Sequence, residues 1–281
     1  MKTISFIKMD GLGNDFMIID GRNEKIKLTS ADIKKAASRR TGVGFDQLFI
    51  LEKSRKADVK MIIFNSDGSP ACACGNGARC VADFIFNETS KKEILIEAPA
   101  NRMLEARRAK LITVNMGKPS FDWRAIPLAR KTDIMNMPQI IKGLGAPLAL
   151  SMGNPHAVFF VKDVNKIDIS KLGSEVENNK LFAQRTNVEF AQIITPSRIR
   201  MRVWERGAGI TSACGSGACA VLAAAVKKGL AKNKADILMD GGKLIIEWDK
   251  NGDVLMTGPV HKSFRGEFYL QYKLLNKGGL K

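Results

Sequence analysis

Two apolar runs stand out from the alternation of hydrophobic and polar positions along the chain. Residues 81–86 and 220–226 are apolar at nearly every position, so a helix formed by either run has to lie inside a packed domain. Each run follows a Cys-Gly-x-Gly turn, which begins at Cys74 in the first copy and at Cys214 in the second. The pattern predicts two buried helices that each start next to a cysteine.

Short segments typical of β-strands surround both runs. The predicted strands are residues 5–9, 16–20, 48–51, 59–65, three runs between 94 and 116, and then 157–161, 188–194, 199–204, 244–248, 254–256 and 267–272. A helix capped by Ser30 is predicted through about Ser38, and a helical turn over 169–176. Many short strands around one buried helix in each half predict an α+β fold.

A single sequence offset relates the polar residues of the two halves. Cys214 follows Cys74 by 140 positions, and a common offset for several pairs would rarely arise by chance. The other pairs at this offset are Asn14 with Asn154, Gln47 with Asn187, and Asn65 with Glu205. The repeat predicts a duplicated domain with a pseudo-twofold axis between the two cysteines.

The domain boundary is predicted near residue 118, where a segment rich in proline and glycine begins. The strand at 267–272 has no counterpart before residue 140, and we expect it to cross back to the first domain. The predicted domains are therefore residues 1–118 together with 263–281, and residues 119–262.

Length and cysteine content restrict the class of protein. A chain of 281 residues is long enough for two domains that each have a core. Five cysteines, an odd number, do not suggest a disulfide framework and favour a reducing cytoplasm. Lys8 and Asp10 interrupt the first ten residues, so no signal core is expected, and no run approaches transmembrane length. We expect a cytoplasmic protein without membrane contact.

The formal net charge of +17 is unusual, because 45 Lys and Arg outnumber 28 Asp and Glu. Such an excess can indicate a nucleic-acid partner. The basic residues are scattered, however, and aromatic residues do not interleave with them to form a stacking platform. We interpret the charge as a solvated basic surface and keep a nucleic-acid-binding protein as an alternative.

The two cysteines are the best candidates for catalysis. A helix start offers free N–H groups and partial positive charge, which favour a thiolate and a bound anion. The candidate residues around them are mainly amides, which can bind both ends of a zwitterion, while Arg206 and Glu205 add one charge of each sign. Two thiols on opposite faces of one carbon can remove a proton and return another, which inverts the centre.

Other interpretations of these residues are weaker. Cys72, Cys74 and Cys80 could suggest zinc, but their spacing is irregular and the chain has only two histidines, so no metal is expected. No nucleotide-binding fingerprint or pyridoxal lysine is apparent, so no cofactor is expected. Cys80 and Cys219 fit buried structural roles, and His156 fits a structural residue at a strand edge.

Seven segments together resemble the diaminopimelate epimerase family, and the match runs nearly from end to end. The segments are residues 8–16, 64–69, 74–80, 153–156, 186–190, 204–207 and 213–220. The resemblance implies two similar domains, each a curved, mostly antiparallel sheet around a central helix. It also implies cofactor-independent interconversion of LL- and meso-2,6-diaminopimelate, on the route to lysine and peptidoglycan.

The resemblance further implies a role for each site residue. Cys74 and Cys214 would be the acid/base pair, and Gly75, Asn76, Gly215 and Ser216 would hold the reacting carboxylate. Asn65, Asn154, Asn187 and Arg206 would bind the distal L-centre, with Glu205 near its ammonium. Asn14 and Gln47 would complete the pocket, and His156 and Glu205 would tune the thiols.

Three positions depart from the family pattern. Asp10 stands where the family often has His or Gln, and Ser216 where Thr is more usual. Phe264 stands where many members have a tyrosine linked to dimer contact, so the homodimer is expected on weaker grounds than the chemistry. The nearest rival is a proline racemase or hydroxyproline epimerase, which shares the architecture and two thiols. The charged pair Arg206 and Glu205 favours a substrate with a second charged end.

Overall fold

The computed structural model describes residues 2–71 and 75–270 of the chain. Cys72 and Cys74, together with the end of the strand predicted at 267–272, therefore lie outside the described residues. The helices of the described part are α1 (Ser30–Ala37), α2 (Gly75–Phe86), α3 (Ile169–Glu177) and α4 (Gly215–Lys227). No helix in this part is long and apolar enough to cross a membrane.

Strands form more of the described chain than helices do, and they succeed one another in a similar order in the two halves. The strands of the first half are β1 (Lys2–Gly11), β2 (Asn14–Asp20), β3 (Gln47–Glu52), β4 (Val59–Asn65), β5 (Glu93–Ala98), β6 (Arg102–Arg108) and β7 (Ile112–Asn115). Those that follow are β8 (Leu148–Ser151), β9 (Pro155–Phe160), β10 (Asn187–Thr195), β11 (Arg198–Glu205), β12 (Gly209–Thr211), β13 (Lys234–Met239), β14 (Gly242–Trp248), β15 (Val254–Gly258) and β16 (His261–Leu270).

The strand registers show the internal repeat directly. Phe16 of β2 lies opposite Gln47 of β3 in a parallel pair, and His156 of β9 lies opposite Asn187 of β10 in the equivalent parallel pair. Both residues of the second pair are 140 positions beyond those of the first. The antiparallel pairs β3–β4 and β10–β11 keep the same correspondence. The predicted α+β fold with two pseudo-symmetric halves is confirmed.

The two halves share one continuous sheet path. Strand β7 of the first half pairs antiparallel with β15 of the second, and β16 pairs antiparallel with β1 along nearly its whole length. Strand β16 therefore lies beside the first strand of the chain. This was expected because the predicted last strand has no counterpart in the first half. The proposed domain boundaries stay a prediction.

Helices α2 and α4 are buried because apolar residues occupy most of their positions, although α2 also buries the polar side chains of Asn76, Arg79 and Asp83. Every residue from Ala218 to Ala225 is fully buried, and ten of the twelve residues of α2 are buried. Gly77 lets α2 approach β3 closely, since a Cβ added there would lie 2.1 Å from the ring of Phe49. This packing holds the start of each helix at a defined place between the sheet halves.

Several local predictions need correction. The cap of α1 is Thr29 rather than Ser30, because the side chains and backbone of Thr29 and Asp32 form a capping box. The last strand begins at His261, six positions before the predicted start. Strands β8, β12 and β13 were not predicted; β8 and β12 have only four and three residues, and so offer little periodicity.

Candidate active site

A cleft of about 870 Å³ is lined by residues of both halves. The first residues of both buried helices lie in its wall, so their free N–H groups can face one ligand. The predicted site residues that line the cleft are Asn14, Gln47, Asn65, Gly75, Asn76, Asn154, Glu205, Arg206, Cys214, Gly215 and Ser216. Two others, His156 and Asn187, are buried and do not line it. Cys74 lies outside the described residues; Gly75, the next residue, begins α2.

The two helix starts contact each other. The Asn76 Nδ2 donates a hydrogen bond of 3.3 Å to the carbonyl of Ala213, across the two halves. A Cβ at Gly215 would lie 3.0 Å from the Asn76 Oδ1, and one at Gly75 would lie 2.9 Å from the Met116 methyl. A side chain at Gly215 would therefore crowd the Asn76 amide of the other helix start, whereas one at Gly75 would press on the flexible end of Met116. The prediction that these glycines let a ligand approach the backbone stays a prediction.

Cys214 lies at the N-cap of α4 and is only 4% exposed. Burial, and then the charges of Glu205 and Glu189, raise the pKa of its thiol well above the usual value, although hydrogen bonds from Ser216 and Gly217 oppose this. The expectation that the helix start favours a thiolate is therefore wrong for Cys214, because burial and two carboxylates outweigh the helix N-terminus. At neutral pH the side chain is a thiol and can donate a proton.

Glu205, at the end of β11, is the acidic partner of this thiol. Burial raises its carboxyl pKa, and hydrogen bonds involving Thr211 and Cys214 partly oppose that rise. The Thr211 hydroxyl donates to the Glu205 Oε1. A carboxylate in contact with a thiol can exchange a proton with it, so Glu205 can accept the proton of Cys214.

In the described part of the chain, other side chains link His156 to Cys214. Its Nε2 lies 3.0 Å from the Asn154 Oδ1, and the Asn154 Nδ2 donates to the Ser216 Oγ over 3.2 Å. Its Nδ1 lies 2.7 Å from the Glu189 Oε1. Glu189 was missed by the sequence analysis, although a glutamate within the apolar run 188–194 was a signal of a buried carboxylate that needs a partner.

Asn187 supports the turn that carries Arg206. Its Nδ2 donates to the Pro155 carbonyl, and its Oδ1 accepts the backbone N–H of Arg206, both over 2.9 Å. The buried Glu177 accepts the backbone N–H of Gly207 over 2.9 Å in the same turn. These hydrogen bonds hold the turn that places the Arg206 side chain at the cleft. Asn187 itself lies behind the cleft wall and does not line the cleft.

The first-half side of the cleft is built by neighbouring amides. Gln47 and Asn65 lie opposite each other on β3 and β4, and the Gln47 Nε2 donates to the Asn65 Oδ1 over 3.1 Å. The Asn14 Nδ2 donates to the Asp46 Oδ2 over 2.7 Å. These contacts leave polar groups of the first half arranged along one wall.

Two arginines that the sequence analysis missed also line the cleft. Arg39 is neutralised by ion pairs with Asp15 and Asp46. Arg102 has no such partner among residues 2–71 and 75–270: its Nη2 donates to the Met116 carbonyl over 3.2 Å, and burial lowers its pKa. Its guanidinium packs on Gly153, where a Cβ would lie only 2.8 Å from Nη1.

Within residues 2–71 and 75–270, no three His, Cys, Asp or Glu side chains gather as a metal ion would require. The chemistry that this geometry allows is acid/base chemistry by thiol and carboxyl groups on a small zwitterion.

Comparison with known proteins agrees with this arrangement. The sequence model of the diaminopimelate epimerase family matches residues 6–122 and 148–263. The diaminopimelate epimerase of Rhodospirillum centenum is 48% identical over 265 residues, covering 93% of this chain and 91% of the relative. That of Acidiphilium cryptum is 45% identical over 263 residues, covering 93% and 95%.

Solved structures share the fold at much lower sequence identity. A hydroxyproline epimerase from Agrobacterium vitis, with bound trans-4-hydroxy-L-proline, has a TM-score of 0.66 and 14% identity, covering 97% of this chain and 94% of that one. A phenazine biosynthesis protein of the PhzF family from Enterococcus faecalis has a TM-score of 0.68 and 15% identity, covering 96% and 100%. These likenesses show the fold alone. The sequence matches show more: the chain belongs to the diaminopimelate epimerase family.

Proposed function

We propose that this protein interconverts LL- and meso-2,6-diaminopimelate without a cofactor, with Cys74 and Cys214 as the acid/base pair. The observation that carries the proposal is the meeting of two buried helix starts at one cleft, joined by the hydrogen bond from Asn76 to Ala213. In the sequence a cysteine directly precedes each of these helices. The family membership of the chain supports the same reaction.

The reacting carboxylate would bind between the two helix starts. The N–H groups of Gly75, Asn76, Gly215 and Ser216 have no partner within their own helices and carry partial positive charge. Hydrogen bonds to the carboxylate become stronger as charge moves onto it when the α-proton leaves. The four residues that the resemblance assigns to the reacting carboxylate can therefore stabilise the negative charge that develops as the carbanion forms.

The proton transfers balance across the two thiols. One cysteine, as thiolate, removes the α-proton, and the other, as thiol, donates a proton to the opposite face of the same carbon. The raised pKa of Cys214 suits it for the donating role in one direction. In the other direction Cys214 acts as thiolate, and Glu205 beside it can accept the thiol proton.

The distal end of the substrate carries a carboxylate and an ammonium. Arg206 would bind that carboxylate, with Asn65 and Asn154 as further donors, while Asn187 holds the Arg206 turn. Asn14 and Gln47 complete the polar wall, and Glu205 offers negative charge to the ammonium. Arg102, a partly buried guanidinium without a carboxylate partner among the described residues, adds a second cation for a carboxylate.

A substrate with two carboxylates fits this cleft better than proline does. Arg102 and Arg206 line the cleft, and neither belongs to an ion pair in the described part of the chain. A proline-sized substrate has one carboxylate and would leave one guanidinium unmatched. The homodimer expected from the resemblance stays a prediction, as does the absence of a nucleic-acid partner.

Incubation of the purified protein with LL-diaminopimelate in D₂O tests the proposal. We expect meso product to form and deuterium to enter at one α-carbon, measured by chiral chromatography and mass spectrometry. L-lysine and trans-4-hydroxy-L-proline serve as controls that lack the distal carboxylate. Turnover of hydroxyproline with no label in diaminopimelate would contradict the proposal. Retention on DNA in a salt-dependent manner with no exchange into any amino acid would favour nucleic-acid binding instead.

A further inference from the structure

Glu189 and His156 form a completely buried pair, and no step described above uses Glu189. Both side chains are 0% exposed, and 2.7 Å separates the Glu189 Oε1 from the His156 Nδ1. Glu189 lies on β10 and His156 on the parallel neighbour β9. A buried carboxylate costs free energy unless it has a partner, and the second oxygen of Glu189 finds no hydrogen bond among the described residues.

The pair lies directly behind the Cys214 thiol. A Cβ added at Gly217 would lie 2.8 Å from the Glu189 Oε1 and 3.4 Å from the Cys214 Sγ. Because both distances start from the same point, the oxygen and the sulfur are at most about 6 Å apart. Gly217 thus makes room for a carboxylate next to the reacting thiol.

A row of hydrogen bonds also links the pair to that thiol. The His156 Nε2 lies 3.0 Å from the Asn154 Oδ1, and the Asn154 Nδ2 donates to the Ser216 Oγ over 3.2 Å. The Ser216 Oγ in turn lies 3.6 Å from the Cys214 Sγ. The orientation of the Asn154 amide therefore decides whether Ser216, which lies beside Cys214, faces the NH₂ group or the oxygen of that amide.

This row determines which kind of group, donor or acceptor, the ring nitrogen facing Asn154 must be. The amide oxygen of Asn154 can only accept, so the His156 Nε2 that faces it must donate. An ionised Glu189 can also only accept, so Nδ1 must donate as well. Among the described residues, the other charged or titratable groups that face the pair are Glu205 on β11 and Cys214 at the start of α4.

We propose that Glu189 and His156 form a buried carboxylate–imidazolium pair, and that Glu189 is a positioning residue for the reaction. By keeping both ring nitrogens protonated, Glu189 makes His156 hold the Asn154 oxygen and so turns the Asn154 NH₂ toward Ser216. The pair also places a positively charged imidazole ring near two carboxylates, those of Glu189 and Glu205. When Cys214 gives up its proton, that ring offsets part of the charge of the thiolate.

The charge state of the ring can be measured without any substrate. The chain contains two histidines, and the other one, His261, has a side chain that is 73% exposed. We would label the protein with ¹⁵N-histidine and record long-range ¹H–¹⁵N spectra at neutral pH, using His261→Asn to assign the signals. We expect both nitrogens of His156 to carry hydrogen in the wild type, and the ring to be neutral in Glu189→Gln.

Either neutral form of His156 in the wild type would overturn the proposal. A hydrogen on Nδ1 alone would mean that Asn154 is turned the other way. A hydrogen on Nε2 alone would mean that Glu189 holds the proton and no ion pair exists. The wild-type spectrum alone decides this point, even if a variant fails to fold.

The positioning role has a kinetic test, which rests on the proposed function. Glu189→Gln should lower kcat/KM for diaminopimelate by roughly ten- to a hundredfold, as for partners that orient other functional imidazoles. The control Glu175→Gln, at an exposed position of α3, should leave it unchanged. Because Glu189 acts through the ring, Glu189→Gln should cause little further loss in a His156→Gln background.

These outcomes separate the positioning role of Glu189 from the proposed function. Additive losses in the double variant, or an unchanged kcat/KM in Glu189→Gln, would overturn the positioning role. A wild-type protein that fails to act on diaminopimelate would contradict the proposed function, whereas the spectrum of His156 would still establish or reject the buried ion pair.

Discussion

At the scale of single residues, the environment of Cys214 determines its protonation. The side chain is buried at a helix start, and both Glu205 and Glu189 add negative charge near its sulfur. Helix N-termini generally lower a thiol pKa, but desolvation and two carboxylates act in the opposite direction here. A thiol that keeps its proton at neutral pH suits a residue that must protonate a carbanion.

We expect Cys214→Ser to lower kcat for diaminopimelate by about 100- to 10,000-fold, the range typical of a lost general acid or base. Serine keeps the size of the side chain but holds its proton far more tightly. Cys219→Ser is the matched control, since Cys219 is fully buried on the same helix and is given no role in the reaction. Steady-state kinetics and circular dichroism of both variants provide the measurement. Near-normal turnover by Cys214→Ser would contradict a two-thiol mechanism.

Arg102 is the second residue whose environment implies a function. We expect Arg102→Gln to raise the KM for diaminopimelate about tenfold, with a smaller change in kcat, because a charged hydrogen bond to a carboxylate is lost. Arg107→Gln is the control, since Arg107 lies on the same strand with a side chain that is 62% exposed. An unchanged KM would mean that Arg102 serves only to pack against Gly153.

At the scale of secondary-structure elements, the site depends on how closely two helices approach the sheet. Gly77 on α2 faces the Phe49 ring of β3, and the Asn76 side chain of the same helix turn reaches the start of α4. A shift of α2 away from the sheet would therefore also separate the two helix starts. The glycine is thus required for packing and for the geometry of the cleft.

Gly77→Ala should destabilise the fold by about 1–3 kcal/mol, because the added Cβ overlaps the Phe49 ring in a closely packed core. Gly145→Ala is the control, since nothing lies within 4 Å of a Cβ at that position. Chemical denaturation measures both effects. A second variant, Gly77→Ala with Phe49→Leu, should recover part of the loss; if it is no more stable than Gly77→Ala, the overlap with the ring is not the cause.

At the scale of the whole molecule, contacts between distant segments close the first half. Strand β16 pairs with β1, and on β1 the nearly buried Lys8 forms an ion pair of 2.7 Å with Asp15 of β2. Arg39, which follows α1, also pairs with Asp15. Burial alone would raise the pKa of Asp15, but the hydrogen bonds from Arg39 and Lys8 outweigh it and lower the pKa to about 2.

This shift predicts how the stability of the fold depends on pH. The folded pKa of about 2 is below the ordinary value of 3.8, so the contribution of Asp15 is fully present above about pH 4 and is lost as the pH falls toward 2. Asp15→Asn should be less stable than the wild type at neutral pH, and the difference should shrink between pH 4 and pH 2.

Urea denaturation of both proteins over this pH range measures the difference. Asp122→Asn is the control, because Asp122 and its partner Arg124 have side chains that are 50% and 72% exposed, and exposed ion pairs contribute little. A constant difference between wild type and Asp15→Asn from neutral pH to pH 2 would contradict the assigned pKa.

The sequence by itself determined the features that depend on local pattern. The apolar runs determined that two helices are buried, and the common offset of 140 residues determined the repeat that the registers of β2–β3 and β9–β10 confirm. The predicted family is confirmed by relatives that match over nearly the whole chain. Such features are visible in the sequence because hydrophobic periodicity and glycine turns act between near neighbours.

Only the tertiary structure decided which distant groups meet and how far water is excluded from them. It brought Arg102 into the cleft and placed Asn187 and His156 behind it. It also surrounded Cys214 with Glu205 and Glu189, which reversed the thiolate expected at that helix start. The physical reason is that electrostatic energies depend on burial and on distances of a few ångströms between residues far apart in the chain, and neither quantity can be read from sequence spacing.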